Sequence, residues 1–279
     1  MNINISIVLY KNNLVKIQET VQNCLNENLD GTIYLVDNSE SEELRIISNV
    51  DQRINYIFNN SNLGYGKAHN IAIRKSIFEN VKYHLVMNPD ISFDNGVLRL
   101  LYDFMENNTQ VGLVMPKVLY PNGDMQYLRK LLPTPLNLFG RRFFNFRYFK
   151  KFIERYNEIY ETRFVDYDKT IEAPYLSGCF MFMRTKILKR IGLFDERFFM
   201  YLEDTDLSRR IHNVAKTIYY PQVYVYHGFE KGSFKDFKLF KFHVASTIRY
   251  FNKWGWFFDK KRKKINAKVI KNITALTMR

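Results

Sequence analysis

Short apolar segments alternate with segments of helical spacing through the first half of this sequence, and this alternation limits the fold more than any other feature. We predict buried strands over Ile3–Tyr10, Thr32–Val36, Ile54–Phe58, His84–Met87 and Val111–Met115. We predict helices over Leu14–Leu25, Ser41–Asn49, Lys67–Phe78 and Asp94–Asn107. Strands that alternate with helices form βαβ units. The expected fold is therefore α/β, with a mostly parallel central sheet and helices on both faces.

Polar clusters follow three of these predicted strands. Asp37 ends the second strand, the turn Asn62–Gly66 follows the third, and Asn88-Pro89-Asp90 closes the fourth. Ligands of open α/β sheets bind beyond the carboxyl ends of the strands. The three clusters therefore predict one ligand site at that edge of the sheet.

The pattern loosens over residues 126–170, which are rich in basic and aromatic side chains. Beyond them we predict a strand over Cys179–Met183, a helix over Thr185–Ile191, a helix from Glu203 to about Val214, strands near Thr217–Tyr220 and Val223–Tyr226, and a helix over Lys235–Asn252. The remaining tail carries the aromatic run Trp254–Phe258 and the basic run Lys260–Lys264.

The charge balance favours acidic partners. The chain has 42 Lys and Arg against 28 Asp and Glu, a formal net charge of +14, which suits nucleic acid, anionic lipid or phosphorylated ligands. Its two cysteines form no CxxC pair, so a zinc site built on thiolates is not expected. Two isolated cysteines are instead typical of a cytosolic protein with reduced thiols. No signal peptide and no apolar run of roughly 18 to 20 residues is apparent. We expect a cytoplasmic protein that lies on a membrane rather than crossing it.

Two carboxylate clusters and one histidine are candidates for chemistry. Asp90, directly after a strand, could hold a hard divalent cation or cap the helix that follows. The cluster Glu203–Asp206 suits a helix N-terminus, where the alternative is a solvated start with an Asp206–Arg210 pair. The apolar stretch before it favours a cleft wall, where desolvation tunes a general base. His227 could ligate a metal or be structural.

The segment Asn62–Asn70 resembles a phosphate-cradling loop before a helix, although it is neither a Walker sequence nor a Gly-x-Gly-x-x-Gly motif. Gly64 and Gly66 would permit a close backbone approach or a positive φ.

Taken in order, these motifs resemble the inverting glycosyltransferases of family 2. The matching segments are Ile5–Tyr10, Val36–Ser39, Asn62–Asn70, Leu85–Asp90, Ser177–Phe182, Tyr201–Arg209 and His227. The resemblance covers about Ile3 to His227 and is strongest to bacterial polysaccharide rhamnosyltransferases. It implies the GT-A (Rossmann-like) fold, with a catalytic domain over 1–230 and a C-terminal helix and basic tail over 231–279. Residues 1–118 would bind the nucleotide and 119–230, including the insertion 126–170, the acceptor.

The resemblance also implies roles for single residues. Asp204 would be the general base, supported by Glu203, Asp206 and Arg209. Asp90 would bind Mg²⁺ or Mn²⁺, and His227 would close over the metal or the diphosphate. The nucleotide sugar would contact Tyr10, Asp37, Asn62, Gly64, Tyr65, Gly66, Lys67, Asn70, Asn88 and Asp90. Asn88 stands where the family usually has the first Asp of Asp-x-Asp, which leaves one anionic metal ligand there and predicts a modest, substrate-dependent affinity.

The implied reaction moves L-rhamnose from dTDP-rhamnose to a hydroxyl of a lipid-linked or growing cell-surface glycan, at the inner face of the cell membrane. The basic and aromatic segments Arg141–Lys151, Trp254–Phe258 and Lys260–Lys264 would meet the anionic membrane surface, the tail most of all; a solvated basic face is the alternative. A UDP-hexose or UDP-galactofuranose donor remains open. A catalytically inactive binding module would be expected to lack the base or the metal carboxylate, and both Asp90 and Asp204 are present. A basic nucleic-acid-binding protein is a remote alternative and no nucleic-acid partner is expected, because the sequence has no helix-turn-helix, RNA-recognition or zinc-finger signature.

Overall fold

The computed structural model describes residues 1–143, 147–228 and 237–277. Its strands are β1 (Ile3–Leu9), β2 (Ile33–Asp37), β3 (Ile54–Phe58), β4 (Tyr83–Met87), β5 (Ile91–Ser92), β6 (Val111–Leu119), β7 (Arg129–Lys130), β8 (Ile171–Glu172), β9 (Tyr175–Leu176), β10 (Phe180–Arg184) and β11 (Lys216–His227). Its helices are α1 (Leu14–Leu25), α2 (Tyr65–Phe78), α3 (Val97–Asn107), α4 (Pro135–Phe143), α5 (Arg147–Tyr160), α6 (Thr185–Ile191), α7 (Glu203–His212), α8 (Phe237–Trp254) and α9 (Lys260–Thr277), with a 3₁₀ helix over Glu43–Asn49.

The central sheet has nine strands, and eight of them follow the order β3-β2-β1-β4-β10-β6-β11-β5, while β8 pairs with β11. Strands β1 to β4 run parallel, but β10 is antiparallel to both β4 and β6. The parallel pairing predicted for the sheet is confirmed among β1 to β4 and between β6 and β11. The sheet as a whole is mixed, because β10 and the short strands β5 and β8 run antiparallel to their neighbours, and helices lie on both sides. Strand–helix alternation ends after β6, so the direction in which β10 enters could not be deduced from it.

The direction of β10 positions the predicted site. Because β10 is antiparallel to β4, its first residues lie beside the residues that follow β4, and the Asn88 amide donates to the Cys179 carbonyl over 2.9 Å. Strand β11 runs from Lys216 to His227 as one irregular strand instead of the two predicted short strands. Its pairing with β6 shifts between Tyr220 and Tyr224, around Pro221, which has no amide to donate.

Other element boundaries differ by a few residues. Helix α3 begins at Val97 rather than Asp94, because Gly96 before it has a φ of 91°. Residues 144–146 and the side chains of 140–150 lie outside the description, so the membrane contact predicted for Arg141–Lys151 stays a prediction.

The two C-terminal helices pack onto the rest of the molecule. Tyr250 and Phe251 of α8 are fully buried, and Val269 and Ile273 of α9 belong to the main apolar core. Asn266 pairs with the backbone of Leu132 through two hydrogen bonds of 2.9 Å. None of the helices in the described ranges is long and apolar enough to cross a membrane.

A polar network lies inside the core between β1, β4 and α2. Ser6 Oγ lies 2.7 Å from His69 Nδ1 and 2.8 Å from His84 Nε2. Ser76 Oγ completes the network 2.7 Å from His84 Nδ1. Burial penalises the charged imidazolium, which lowers the pKa of His84 to about 3 and the pKa of His69 well below its usual range. Both histidines are therefore neutral in the folded protein.

We expect the free energy of unfolding to fall as the pH drops below about 6.5, the ordinary histidine pKa in an unfolded chain. Between that value and the folded pKa of about 3, the unfolded chain binds a proton that folded His84 does not. Each such proton costs about 1.4 kcal/mol per pH unit. Denaturant unfolding at several pH values measures the slope. His84→Gln should have a smaller slope than the wild type over this range, and equal slopes would contradict a neutral buried ring.

Candidate active site

Asn88, Asp90 and His227 meet at one edge of the sheet. Strand β5 pairs with the end of β11, opposing Ile91 to His227, and this pairing brings the imidazole to the residues after β4. His227 Nε2 lies 3.3 Å from Asp90 Oδ1 and 3.1 Å from Asn88 Nδ2. The Asp90 side chain is 35% exposed, so a ligand can reach it from solvent.

The orientation of His227 is set by Gln126, in the loop after β6. The Gln126 amide nitrogen donates to the His227 carbonyl over 2.8 Å, so its oxygen, 2.9 Å from His227 Nδ1, is left to accept. A neutral ring therefore carries its proton on Nδ1 and presents the Nε2 lone pair toward Asp90. Metal-binding histidines are held in this way by their other nitrogen.

These donors fit a divalent cation that is shared with a substrate. A carboxylate oxygen and an imidazole lone pair face one another at 3.3 Å, and a cation placed between them would satisfy both. In the described part of the chain, no group of three or more His, Cys, Asp or Glu could hold a metal by itself. Mg²⁺ and Mn²⁺ commonly complete such a shell with diphosphate oxygens and water.

Asp204 lies in the first turn of α7, held by four hydrogen-bond donors. Its Oδ2 accepts from the Gly178 amide over 2.8 Å and the Tyr175 hydroxyl over 3.2 Å. Its Oδ1 accepts from the Thr205 amide over 2.7 Å and the Thr205 hydroxyl over 3.3 Å. Desolvation nevertheless outweighs these bonds and raises the pKa of Asp204 above its usual value. A carboxylate of raised pKa is a stronger proton acceptor, as a general base requires.

Tyr65 connects the Asp90 end of the site to the Asp204 end. Its hydroxyl lies 2.7 Å from the Gly178 carbonyl and 3.1 Å from Asn88 Oδ1. Gly178 in turn donates its amide to Asp204. Burial raises the pKa of Tyr65 well above its usual value, and nearby carboxylates add to the effect. The ring is therefore a neutral donor at the centre of the site.

The backbone that leads into α7 is strained. Tyr201 and Leu202 have φ values of 71° and 66°, in the left-handed region that costs a non-glycine residue on the order of 1–3 kcal/mol. The buried Leu202 side chain packs with Phe198 and Tyr250, which holds this conformation. The first turn of α7, which follows these two residues, carries the Asp204 carboxylate that accepts from the Gly178 amide.

The segment Asn62–Asn70 holds a neighbouring loop. Asn70 Nδ2 donates to the Phe194 carbonyl over 2.9 Å and to Glu196 over 3.0 Å, and its Oδ1 accepts from the Phe194 amide over 3.0 Å. The buried Asn70 side chain thus binds protein partners, and its contact with a nucleotide stays a prediction. Asn62 likewise caps its own turn by accepting from the Gly64 amide over 3.0 Å.

The two glycines of this segment are required by packing. Gly64 has a φ of 83°, and a Cβ there would lie 2.2 Å from the Phe199 carbonyl oxygen. A Cβ on Gly66 would lie 2.8 Å from Phe194 Cβ. The close backbone approach expected at these glycines is therefore an approach of the loop 194–199. A nucleotide contact at the glycines stays a prediction.

Three further nucleotide candidates differ in exposure. Asp37 is fully buried; its two oxygens accept from the Tyr56 hydroxyl over 2.6 Å and the Ser39 amide over 2.8 Å. Tyr10 and Lys67 are exposed to solvent. Contact of the Asp37 carboxylate with a nucleotide stays a prediction and would require its enclosing groups to move.

Asp206 and Arg209 are turned away from the cleft, toward the C-terminal helices. Asp206 is fully buried, with its Oδ1 2.8 Å from Trp254 Nε1 and its Oδ2 2.8 Å from Arg210. Arg209, also buried, forms an ion pair of 2.7 Å with Asp259 and lies 4.0 Å from the centre of the Trp254 ring. Their predicted support of the site is therefore indirect, and the proposed Asp206–Arg210 pair is confirmed.

Glu203 is enclosed beside the base. It is 5% exposed, and its Oε2 has no hydrogen-bond partner within the described residues. Burial raises its pKa well above the usual range, and the neighbouring Asp204 adds to this. Burial and the neighbouring Asp204 both disfavour the charged form of Glu203, whereas four hydrogen-bond donors favour the charged form of Asp204.

Sequence reasoning missed Gln126, Tyr175 and the role of the Gly178 amide. Gln126 stands at the start of a segment without periodicity, where no local signal marks it. Gly178 lies inside the stretch Ser177–Phe182 whose resemblance to the family was noted, and Tyr175 lies two residues before it, so a search of that stretch and its neighbours would have found both.

The chain matches the sequence model of Glycosyl transferase family 2 over residues 6–192. This is well over half of its length, and the chain belongs to that family. The matched residues end before α7, so the roles of Asp204 and His227 rest on the geometry given above and on the resemblance.

Curated relatives agree in class. The chain is 29% identical over 177 residues to a low-salt glycan biosynthesis hexosyltransferase of Haloferax volcanii, covering 63% of this chain and 52% of the relative. It is 25% identical over 188 residues to an N-acetylglucosaminyl-diphospho-decaprenol L-rhamnosyltransferase of Mycobacterium tuberculosis, covering 60% and 56%. The chain therefore spans about half the length of the curated relatives it matches.

Solved structures agree in fold. A mannosyltransferase from Pyrobaculum calidifontis, in complex with GDP-Man and Mn²⁺, matches with a TM-score of 0.58 and 14% identity over 98% of this chain and 75% of the other. At that identity the likeness is one of fold, and the fold is GT-A-like.

Replacing Asp90 should remove the metal-dependent part of nucleotide binding. In Asp90→Asn an amide replaces the one anionic ligand, and we expect the affinity for a nucleoside diphosphate with Mg²⁺ or Mn²⁺ to fall by about tenfold or more. Calorimetry with and without metal measures the difference. The matched control is Asp94→Asn, at an exposed carboxylate nearby. An unchanged metal-dependent affinity in Asp90→Asn would contradict the ligand role.

Proposed function

We propose that this family 2 glycosyltransferase transfers a sugar with inversion from a nucleoside diphosphate to an acceptor hydroxyl, with Asp204 as the general base. The observation that carries the proposal is a hydrogen-bonded path that joins the candidate metal-binding residues to the candidate base. Asp90 and His227 lie at one end, Asp204 lies at the other, and Tyr65 and Gly178 connect them. A donor diphosphate at the first end would bring its sugar toward the second.

The reaction is a single displacement. Asp204 takes the proton of the acceptor hydroxyl as the acceptor oxygen forms its bond to the sugar C1. The bond between C1 and the diphosphate oxygen breaks, and its electron pair leaves with the nucleoside diphosphate. Asp90 and His227 would hold a divalent cation, which when bound would stabilise the charge on the leaving group. Asp204 then releases its proton to solvent. The reaction needs no covalent intermediate between the sugar and the enzyme.

The surroundings of Asp204 suit this role. Its raised pKa strengthens it as a proton acceptor, while the donors at Gly178 and Thr205 hold the carboxylate in one orientation. Tyr175 and the Thr205 hydroxyl complete its shell. Preorganisation of this kind avoids the cost of turning the base toward the acceptor during the reaction.

The donor in this proposal is dTDP-L-rhamnose, and the acceptor is a lipid-linked glycan at the inner face of the cell membrane. The likeness to the mycobacterial L-rhamnosyltransferase supports it. The likeness to the archaeal hexosyltransferase supports the alternative, a UDP-hexose or UDP-galactofuranose donor. Thermal-shift measurements with Mg²⁺ separate them: we expect the largest rise in melting temperature with dTDP-rhamnose, and a larger rise with a UDP-sugar would establish the alternative.

Two adjacent carboxyl groups give a matched pair of variants. Asp204→Asn should lower turnover by about 10²- to 10⁴-fold, the usual contribution of a general base, with donor affinity nearly unchanged. Glu203→Gln should keep turnover close to that of the wild type, because Glu203 is enclosed and supplies none of the four hydrogen bonds that hold Asp204. Release of nucleoside diphosphate measures turnover, and calorimetry measures donor affinity. Near-wild-type turnover in Asp204→Asn would show that another group is the base.

A further inference from the structure

The turn between α8 and α9 exposes two adjacent phenylalanines. Phe257 is 66% exposed and Phe258 is 89% exposed. The turn itself is ordered by short hydrogen bonds, from the Gly255 amide to the Phe251 carbonyl over 2.7 Å and from Trp256 Nε1 to Asn252 over 2.9 Å. The two rings therefore project into solvent from an ordered turn, and their contact with water costs free energy.

The helices beside this turn carry most of the surplus charge of the chain. Residues 237–277 contain eleven Lys and Arg and a single acidic residue, Asp259. Asp259 is buried against Arg209 over 2.7 Å, so its charge is neutralised inside the protein. Next to Phe258 the exposed lysines are Lys260, Lys261, Lys263 and Lys264.

We propose that Phe257, Phe258 and these four lysines form a docking surface for an anionic lipid bilayer. The chemistry selects this occupant: phenyl rings without a hydrogen-bonding group enter the boundary between headgroups and acyl chains, and neighbouring lysines bind anionic headgroups. The fold divides the aromatic run of the tail: Trp254 faces inward, and Phe257 and Phe258 face solvent.

The docking surface is joined directly to the helix that carries the base. Asp259 follows Phe258 and pairs with Arg209 of α7, and Trp254 donates to Asp206 of the same helix. Asp204 lies in the first turn of that helix. A bilayer bound at the turn would therefore hold α7 at a fixed height above the membrane. This would present Asp204 to a lipid-linked acceptor, a consequence that rests on the proposed function.

Vesicle flotation of the full chain tests the surface separately from catalysis. The probe is a vesicle of phosphatidylcholine mixed with phosphatidylglycerol, compared with phosphatidylcholine alone. Phe257→Ser with Phe258→Ser should weaken partitioning by about tenfold or more for each ring. Lys260→Glu with Lys261→Glu should weaken it by at least about thirty-fold, since each lysine contributes on the order of 1 kcal/mol.

Matched substitutions on another face provide the control. Phe78 is 86% exposed at the end of α2, and Lys75 is exposed three residues before it. Phe78→Ser and Lys75→Glu should leave flotation unchanged, and circular dichroism should show all variants folded.

The results separate this inference from the proposed function. Equal flotation of the wild type and the double phenylalanine variant would overturn the docking surface, as would equal binding to both kinds of vesicle. Tight binding of single-stranded RNA that does not need the two rings, with no flotation, would assign the lysines to nucleic acid instead. Flotation that is lost in these variants while transfer to a soluble acceptor persists would support it. Flotation by a protein without transferase activity would refute the proposed function alone.

Discussion

The antiparallel strand β10, hydrogen-bonded between β4 and β6, is the constraint on which the site depends. It brings Gly178 and Cys179 beside the residues that follow β4, where the Asn88 amide binds the Cys179 carbonyl over 2.9 Å. From there the Gly178 amide reaches Asp204 and the Gly178 carbonyl meets the Tyr65 hydroxyl. One strand entering in the opposite direction thus joins the nucleotide side of the sheet to the helix that carries the base.

The two ends of the site differ in their access to water, and the difference suits their tasks. Asp90 is 35% exposed and is open to a charged diphosphate and its cation. Asp204 and Glu203 lie in surroundings that disfavour charge, which raises the pKa of both. A second negative charge at Glu203 would be desolvated beside that of Asp204, which disfavours ionisation of both acids at once.

The sequence predicted the parallel half of the sheet well, because local apolar periodicity defines its strands and helices. The order of the motifs in the chain groups Asp90, His227 and Asp204 as one site, and their roles stay predictions. The sequence did not predict β10's direction, since strand direction depends on contacts distant in the chain. The hydrogen bonds of Asn70 to the loop 194–199 were not predicted, because that loop is distant in the chain. Gln126 was missed because its role arises only where β6 and β11 meet.

Helix α7 carries the motif Glu-Asp-x-Asp-Leu-x-x-Arg on two faces with different duties. Asp204 faces the cleft, whereas Asp206 and Arg209 bind Trp254 and Asp259 of the C-terminal segment. Half of this motif thus binds the C-terminal segment to the rest of the protein. Chimeric enzymes that exchange tails between relatives must therefore exchange the matching half of the helix as well. A tail grafted without it would leave Arg209 buried without Asp259 and Asp206 without Trp254. The resulting loss of activity would look catalytic although its origin is in folding.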